Sequence, residues 1–202
     1  QSNNSVGRSI INHGDGTISF TWTIDDECTS AFANRGTGYN YWNGASLLYP
    51  AGPTTRIETV RTGFSQIGLL GNGSEVIMAH KGLPYDFKIL TNGTKGTGTW
   101  TILDAEATDT VGGEQALWCR IATGGSDENS IHLIANYFTT PTINGLLTPM
   151  IYSRSTDAGA SWNLQSVMLP GYDTSRYISG SAETYAIDAE GSKVAIVHAA
   201  ID

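Results

Sequence analysis

Apolar and polar positions alternate along the chain in short stretches, which is the period of a half-buried strand rather than of a helix. Residues 17–24, Thr-Ile-Ser-Phe-Thr-Trp-Thr-Ile, predict one strand, and residues 38–44 and 56–60 predict two more. Further along, one layout occurs three times: an apolar strand, a glycine-containing turn, then a second apolar strand ending in a polar side chain. The first copy is 67–70, the turn 71–74 and 75–80; the second is 117–123, 124–130 and 131–136; the third is 185–188, 189–192 and 193–198. The second strands start at residues 75, 131 and 193, so the steps are 56 and 62 residues. Two of these units continue with two further strands, at 86–90 and 99–103 and at 147–155 and 162–169. Four antiparallel strands per repeat define a blade, and the chain is predicted to be an all-β propeller.

The predicted organisation is a lead-in over 1–16, then blades at about 17–60, 64–104 and 116–169 and an incomplete one at 183–202. The 202 residues thus supply three to three and a half blades, fewer than the four to eight of closed propellers. The expectation is part of a larger ring, completed by more of the same polypeptide or by another chain.

Between the third and fourth strands of one unit, residues 155–162 read Ser-Thr-Asp-Ala-Gly-Ala-Ser-Trp. Ser155, Asp157 and Ser161 are expected to tie back to turn amides. Gly159 would supply a backbone angle closed to other residues, and Trp162 would pack beneath the turn. The matching hairpin of the preceding unit, 91–100, has lost the aspartate but keeps its glycines and Trp100.

Composition narrows the function classes. Only 15% of residues are charged, the net charge is −8 and glycine numbers 24. Eleven scattered Lys and Arg do not form the basic patch that a nucleic-acid partner requires. No window approaches the roughly 18 consecutive apolar residues of a membrane-spanning helix. The chain opens at Gln1 without an initiator Met, which predicts export with a signal peptide already removed. Cys28 and Cys119 leave two readings open, a single disulfide or a buried thiol at Cys119. Neither has a second ligand at metal spacing. The acidic stretches Asp25-Asp26-Glu27 and Asp127-Glu128 could hold calcium in an exported protein, but they lack the spacing of a calcium loop and read first as solvated loops. No cofactor is implied.

Residues 155–162 resemble the Asp box of the sialidase-type, or BNR-repeat, propellers, and the repeat extends that likeness over about 64–201. The words Asn34-Arg35-Gly36-Thr37-Gly38-Tyr39-Asn40-Tyr41-Trp42-Asn43-Gly44 and Arg56-Ile57-Glu58-Thr59-Val60-Arg61-Thr62-Gly63 are similar to large secreted proteins of Bacteroidota exported by type IX secretion. The resemblance implies a six-to-eight-bladed propeller on or outside the cell. Sialidases gather three arginines around a substrate carboxylate, with a Tyr–Glu nucleophile pair and an Asp acid. Arg56, Arg61 and Arg120 are the candidates here, although Glu58 stands where the Arg-Ile-Pro element of sialidases has its proline.

The competing expectation is a non-catalytic module that binds a glycan or a protein, or joins other subunits of an extracellular assembly. It needs only exposed loops, offered at 25–32, 124–130 and 139–146, and aromatics such as Tyr39, Tyr41 and Trp42. His80, Asn136 and His198 end the second strands of three successive units. They read either as a ring of donors around a central site or as hydrogen-bond partners of a neighbouring blade.

Overall fold

The computed structural model describes residues 7–25, 27, 32–82, 86–105, 116–137, 145–177 and 179–201. Thirteen strands among them form four antiparallel sheets, each in simple chain order. The first sheet holds β1 (Ile10–Asn12), β2 (Ile18–Ile24) and β3 (Gly36–Trp42). The second holds β4 (Thr62–Leu69), β5 (Glu75–Lys81), β6 (Asp86–Asn92) and β7 (Thr101–Ala105). The third holds β8 (Ala116–Gly124), β9 (Ser130–Tyr137), β10 (Met150–Ser155) and β11 (Leu164–Met168). The fourth pairs β12 (Ser179–Glu190) with β13 (Lys193–Ile201). This is a partial propeller. Its first strands pack side by side, β4 on β8 and β8 on β12, while β7 at the outer edge is exposed over most of its length.

Two expectations change. Residues 56–60 form no strand; Arg56 and Glu58 instead turn inward and satisfy backbone groups of β3 and its approach. The predicted lead-in contributes β1, whose residues 10–12 pair with β2.

Middle strands explain the near-continuous apolar runs in the sequence, because both of their faces are covered. Along β5, Val76 and Met78 join a core with Phe87, Ile89, Cys119, Ile121, Ile131 and Leu133, between the second and third sheets. Ile77 turns the other way, to Tyr39, Ile67 and Leu90 beneath the first sheet. On β9, Leu133 belongs to the former core and Ile134 to another, with Tyr185 and Ile187 of the fourth sheet. Cys119 lies in the main core as a free thiol with its pKa pushed up to about 12 by burial. Cys28 lies outside the described residues, as do Asp26 and residues 139–144.

Hairpin tips at one end of the sheets are tied to one another. Gly71 N donates to Glu128 O (3.2 Å), Gly125 N to Gly191 O (2.8 Å) and Ala158 N to Asn129 O (3.0 Å). Within the 155–162 hairpin, Ser155 Oγ accepts from Gly159 N at 2.8 Å, and Asp157 Oδ1 accepts from Ser161 N at 2.8 Å. Gly159 takes φ 91°, and Trp162 packs against the main core. In the 91–100 hairpin, Asn92 is 2% exposed and its Oδ1 accepts from Thr94 N and Thr97 Oγ1, so an amide does the bracing there. No helix of the described residues is long and apolar enough to cross a membrane.

Candidate functional site: the cleft across the first strands

A β-bulge recurs in the first strand of successive sheets. Pairing shifts between Gly63 and Gln66 in β4, and between Leu117 and Arg120 in β8. Phe64 (φ 56°) and Trp118 (φ 53°) adopt left-handed backbone there, a conformation that bulky residues hold only when the surrounding structure fixes it. β12 has a wider shift between Gly180 and Tyr185. The first residue re-paired after each shift is Gln66, Arg120 or Tyr185, so these three hold equivalent places on neighbouring first strands.

Together with Arg8 and Asp188 they line a cleft of about 430 Å³. Arg120 is only 3% exposed; its guanidinium lies 5.5 Å from the centre of the Tyr185 ring, and its Nη1 donates to Cys119 O at 3.2 Å. Gln66 is 1% exposed, accepts from Ile121 N through Oε1, and has a buried Nε2 with no protein partner. Gly7 closes over this pair: a Cβ there would stand 2.8 Å from Gln66 Oε1 and 3.0 Å from Arg120 Cδ. Arg8 anchors the same segment, accepting from Ile67 N through its carbonyl (2.9 Å) and pairing with Asp188 through its side chain.

Positive charge continues beside the bulges. His80 stacks on Phe64 with ring centres 4.8 Å apart, and its Nδ1 accepts from Trp118 N at 3.3 Å. Its pKa falls to about 3, first through burial and then through Arg35, Arg61 and Arg120. Arg35 lies 5.9 Å from the Phe64 ring centre, and its buried Nε has no hydrogen-bond partner. Burial, then Arg61, lowers its pKa. Arg61 is held by its Nε on Phe32 O at 3.1 Å.

Of the residues expected from the sequence, Arg120 lines the cleft, while Arg61 and His80 lie outside its lining, with the charges of Arg61 and Arg120 both acting on His80. Arg56 does not join them: its Nη1 and Nη2 donate to Arg35 O (3.2 Å) and Thr59 O (2.7 Å). His80 and Asn136 are equivalent, facing Gly63 and Leu117 just before the bulges. Both bond inward rather than forming a ring of donors, Asn136 through Nδ2 to Thr148 O at 3.0 Å. His198 is not their equivalent, because it pairs with Tyr185 on the far side of the shift. It packs edge-on against Tyr172, with ring centres 5.4 Å apart.

The ring of polar side chains is therefore on the first strands, at Gln66, Arg120 and Tyr185, and only Arg120 was singled out by its sequence context. Asp127 caps its own turn through Asn129 N. Among the described residues no group of three or more His, Cys, Asp or Glu could hold a metal ion.

No family model matches the chain, and no curated protein matches it in sequence. Among solved structures, the chain is similar to a candidate glycosidase from Bacteroides thetaiotaomicron VPI-5482, with TM-score 0.57 and 12% identity over 96% of this chain and 60% of that one. A Hadza microbial sialidase matches with TM-score 0.44 and 11% identity over 77% of this chain and 37% of its own. The polysaccharide lyase Uly1 matches with TM-score 0.44 and 11% identity over 84% and 45%. The chain thus spans less than two thirds of the length of each. The likeness to the first of these defines the fold alone, an all-β partial propeller.

Proposed function

We propose that this propeller is a non-catalytic binding module, on or outside the cell, whose cleft at Gln66, Arg120 and Tyr185 takes a carboxylate-bearing sugar. The observation that carries this reading is the cleft itself, where the buried Arg120 stands with Arg8 and with Gln66, in a chain of net charge −8. A guanidinium as little exposed as that of Arg120 attracts an anion more strongly than one in water, and its planar fork suits a carboxylate. The unpartnered Gln66 Nε2 adds a donor for a sugar oxygen or a bridging water. Partnership with other subunits of an extracellular assembly is compatible with this reading.

One observation favours a sialidase-like hydrolase instead: the Tyr185 side chain borders the same cleft as two arginines. Against it, the Tyr185 hydroxyl donates to Trp118 O. Among the described residues Asp188 is the one carboxylate lining the cleft, and Arg8 engages it. Glycan-array binding alongside turnover of a fluorogenic sialoside separates the two. Retention of acidic glycans without turnover supports the module, turnover supports the hydrolase, and retention of neutral glycans alone removes both.

A further inference from the structure

A second cavity, sharing no residue with the cleft, opens between the first sheet and the β6–β7 hairpin. Its volume is about 330 Å³, and its walls come from three parts of the chain: Tyr39 of β3, the segment from Tyr49 to Ile57, and Gly98 and Trp100 of the hairpin. We propose that this cavity is a binding site for a neutral mono- or disaccharide.

The floor is built in advance. Tyr39, 2% exposed, meets Trp100 edge to face with ring centres 4.9 Å apart. Its hydroxyl donates to Glu75 Oε2 at 2.7 Å and accepts from Gly96 N at 3.0 Å, so the ring cannot swing to fill the space. Asn40 pins the opposite wall, bonding both the N–H and the C=O of Tyr49. Gly98 (φ 71°) admits the Tyr49 hydroxyl where a Cβ would stand 2.4 Å from it. Backed by Tyr39, the partly exposed Trp100 ring offers a fixed aromatic surface that matches the apolar C–H face of a pyranose. Thr54 and Thr55 are exposed beside it and, with Tyr49, present hydroxyls that exchange hydrogen bonds with sugar hydroxyls.

Electrostatics argue for a neutral ligand. Arg56 is the charged residue lining the cavity, and both of its terminal nitrogens already donate to backbone carbonyls. Those two bonds turn the guanidinium toward the backbone, and the buried Glu58 carboxyl, its pKa raised first by burial, lies within reach of the Arg56 charge. The volume limits the ligand to one or two rings: 330 Å³ lies at the lower end of ligand cavities, which run from about 300 to 1,000 Å³.

The test is calorimetric titration of the chain with galactose, N-acetylglucosamine, lactose, cellobiose and maltose, using wild type, Thr54→Trp, Tyr49→Ala and Arg120→Met. Thr54 is exposed, so the tryptophan can occupy the cavity mouth without disturbing the core. Thermal melts establish that each variant folds, and Thr54→Trp alone suffices if Tyr49→Ala does not. At least one saccharide is expected to bind saturably to wild type and to Arg120→Met, with affinity reduced about tenfold or more in Thr54→Trp. No saturable binding of any of the five, binding that Thr54→Trp leaves unchanged, or binding that Arg120→Met removes would each overturn the proposal. Because the cavity and the cleft share no residue, acidic-sugar binding can fail while this site stands, and the reverse.

Discussion

The guanidinium of Arg120 lies over the ring of Tyr185, 5.5 Å from its centre, across the boundary between the third and fourth sheets. Each residue is the first to regain strand pairing after a bulge. The contact therefore depends on two irregularities occurring at corresponding places in successive sheets. It joins packing to charge: the stacking holds a buried guanidinium facing the cleft, and the Tyr185 hydroxyl is anchored on Trp118 O, at the bulge itself.

Replacing Asp157 tests whether its role is mechanical. Its carboxylate accepts from the backbone and side chain of Ser161, and those bonds hold its pKa below the ordinary 3.8. Asp157→Ala should lower stability by about 1–2 kcal/mol while leaving ligand affinity unchanged. A depressed carboxylate contributes stability above its unfolded pKa, and loses it as pH falls through the lower folded value. Denaturant titrations should therefore show wild type and Asp157→Asn converging in strong acid.

Two turn glycines separate a steric cost from a backbone cost. A Cβ on Gly71 would stand 2.0 Å from Asp127 O and 2.8 Å from Glu128 Cβ, where the tips of two sheets meet. Gly73, two residues on, has φ 83° and open space around it. Gly73→Ala should cost about 1 kcal/mol through conformational strain alone. Gly71→Ala should cost about 2–4 kcal/mol, because one tip must move off the other. Equal costs in chemical denaturation would show that the tips do not support one another.

His80 should stay neutral down to about pH 3, in contrast to its ordinary value of 6.5. The unfolded chain binds a proton that the folded state refuses, so stability falls as pH drops from about 6.5 toward 3. His13 and His132 shift in the same direction, through burial first, and contribute to the same slope. Titration of the imidazole resonances by NMR should show His80 unprotonated at pH 5, and His80→Gln should flatten part of the stability slope. A His80 midpoint near 6.5 would mean that neither burial nor the arginines act on it as described.

Strands and hairpins were legible because period-two alternation and glycine-rich turns are local. Even the doubly buried runs Val76-Ile77-Met78 and Leu133-Ile134-Ala135 could be read as strands by length and flanking turns. The cleft was much less legible. Alternation assumes unbroken pairing, and the extra residue at Phe64-Ser65 and at Trp118-Cys119 reverses which face the following side chains take. Nothing in those pairs announces a bulge, since neither Phe nor Trp is a usual occupant of left-handed backbone. The polar ring was therefore sought at the ends of β5 and β9, where His80 and Asn136 are committed to backbone groups. Arg56 failed differently: its sequence context suggested a carboxylate clamp, yet Arg35 O and Thr59 O take its donors.

Calorimetric titration with glucuronate and with N-acetylneuraminate, using glucose as the uncharged control, bears most directly on the cleft. At low salt, wild type should bind at least one of the two anions more tightly than glucose, and added salt should weaken the interaction. Arg120→Met should reduce the anion's affinity about tenfold or more, as expected for loss of a charge-assisted hydrogen bond. Anion binding that Arg120→Met leaves intact, or no binding of either anion by the folded wild type, would contradict the account.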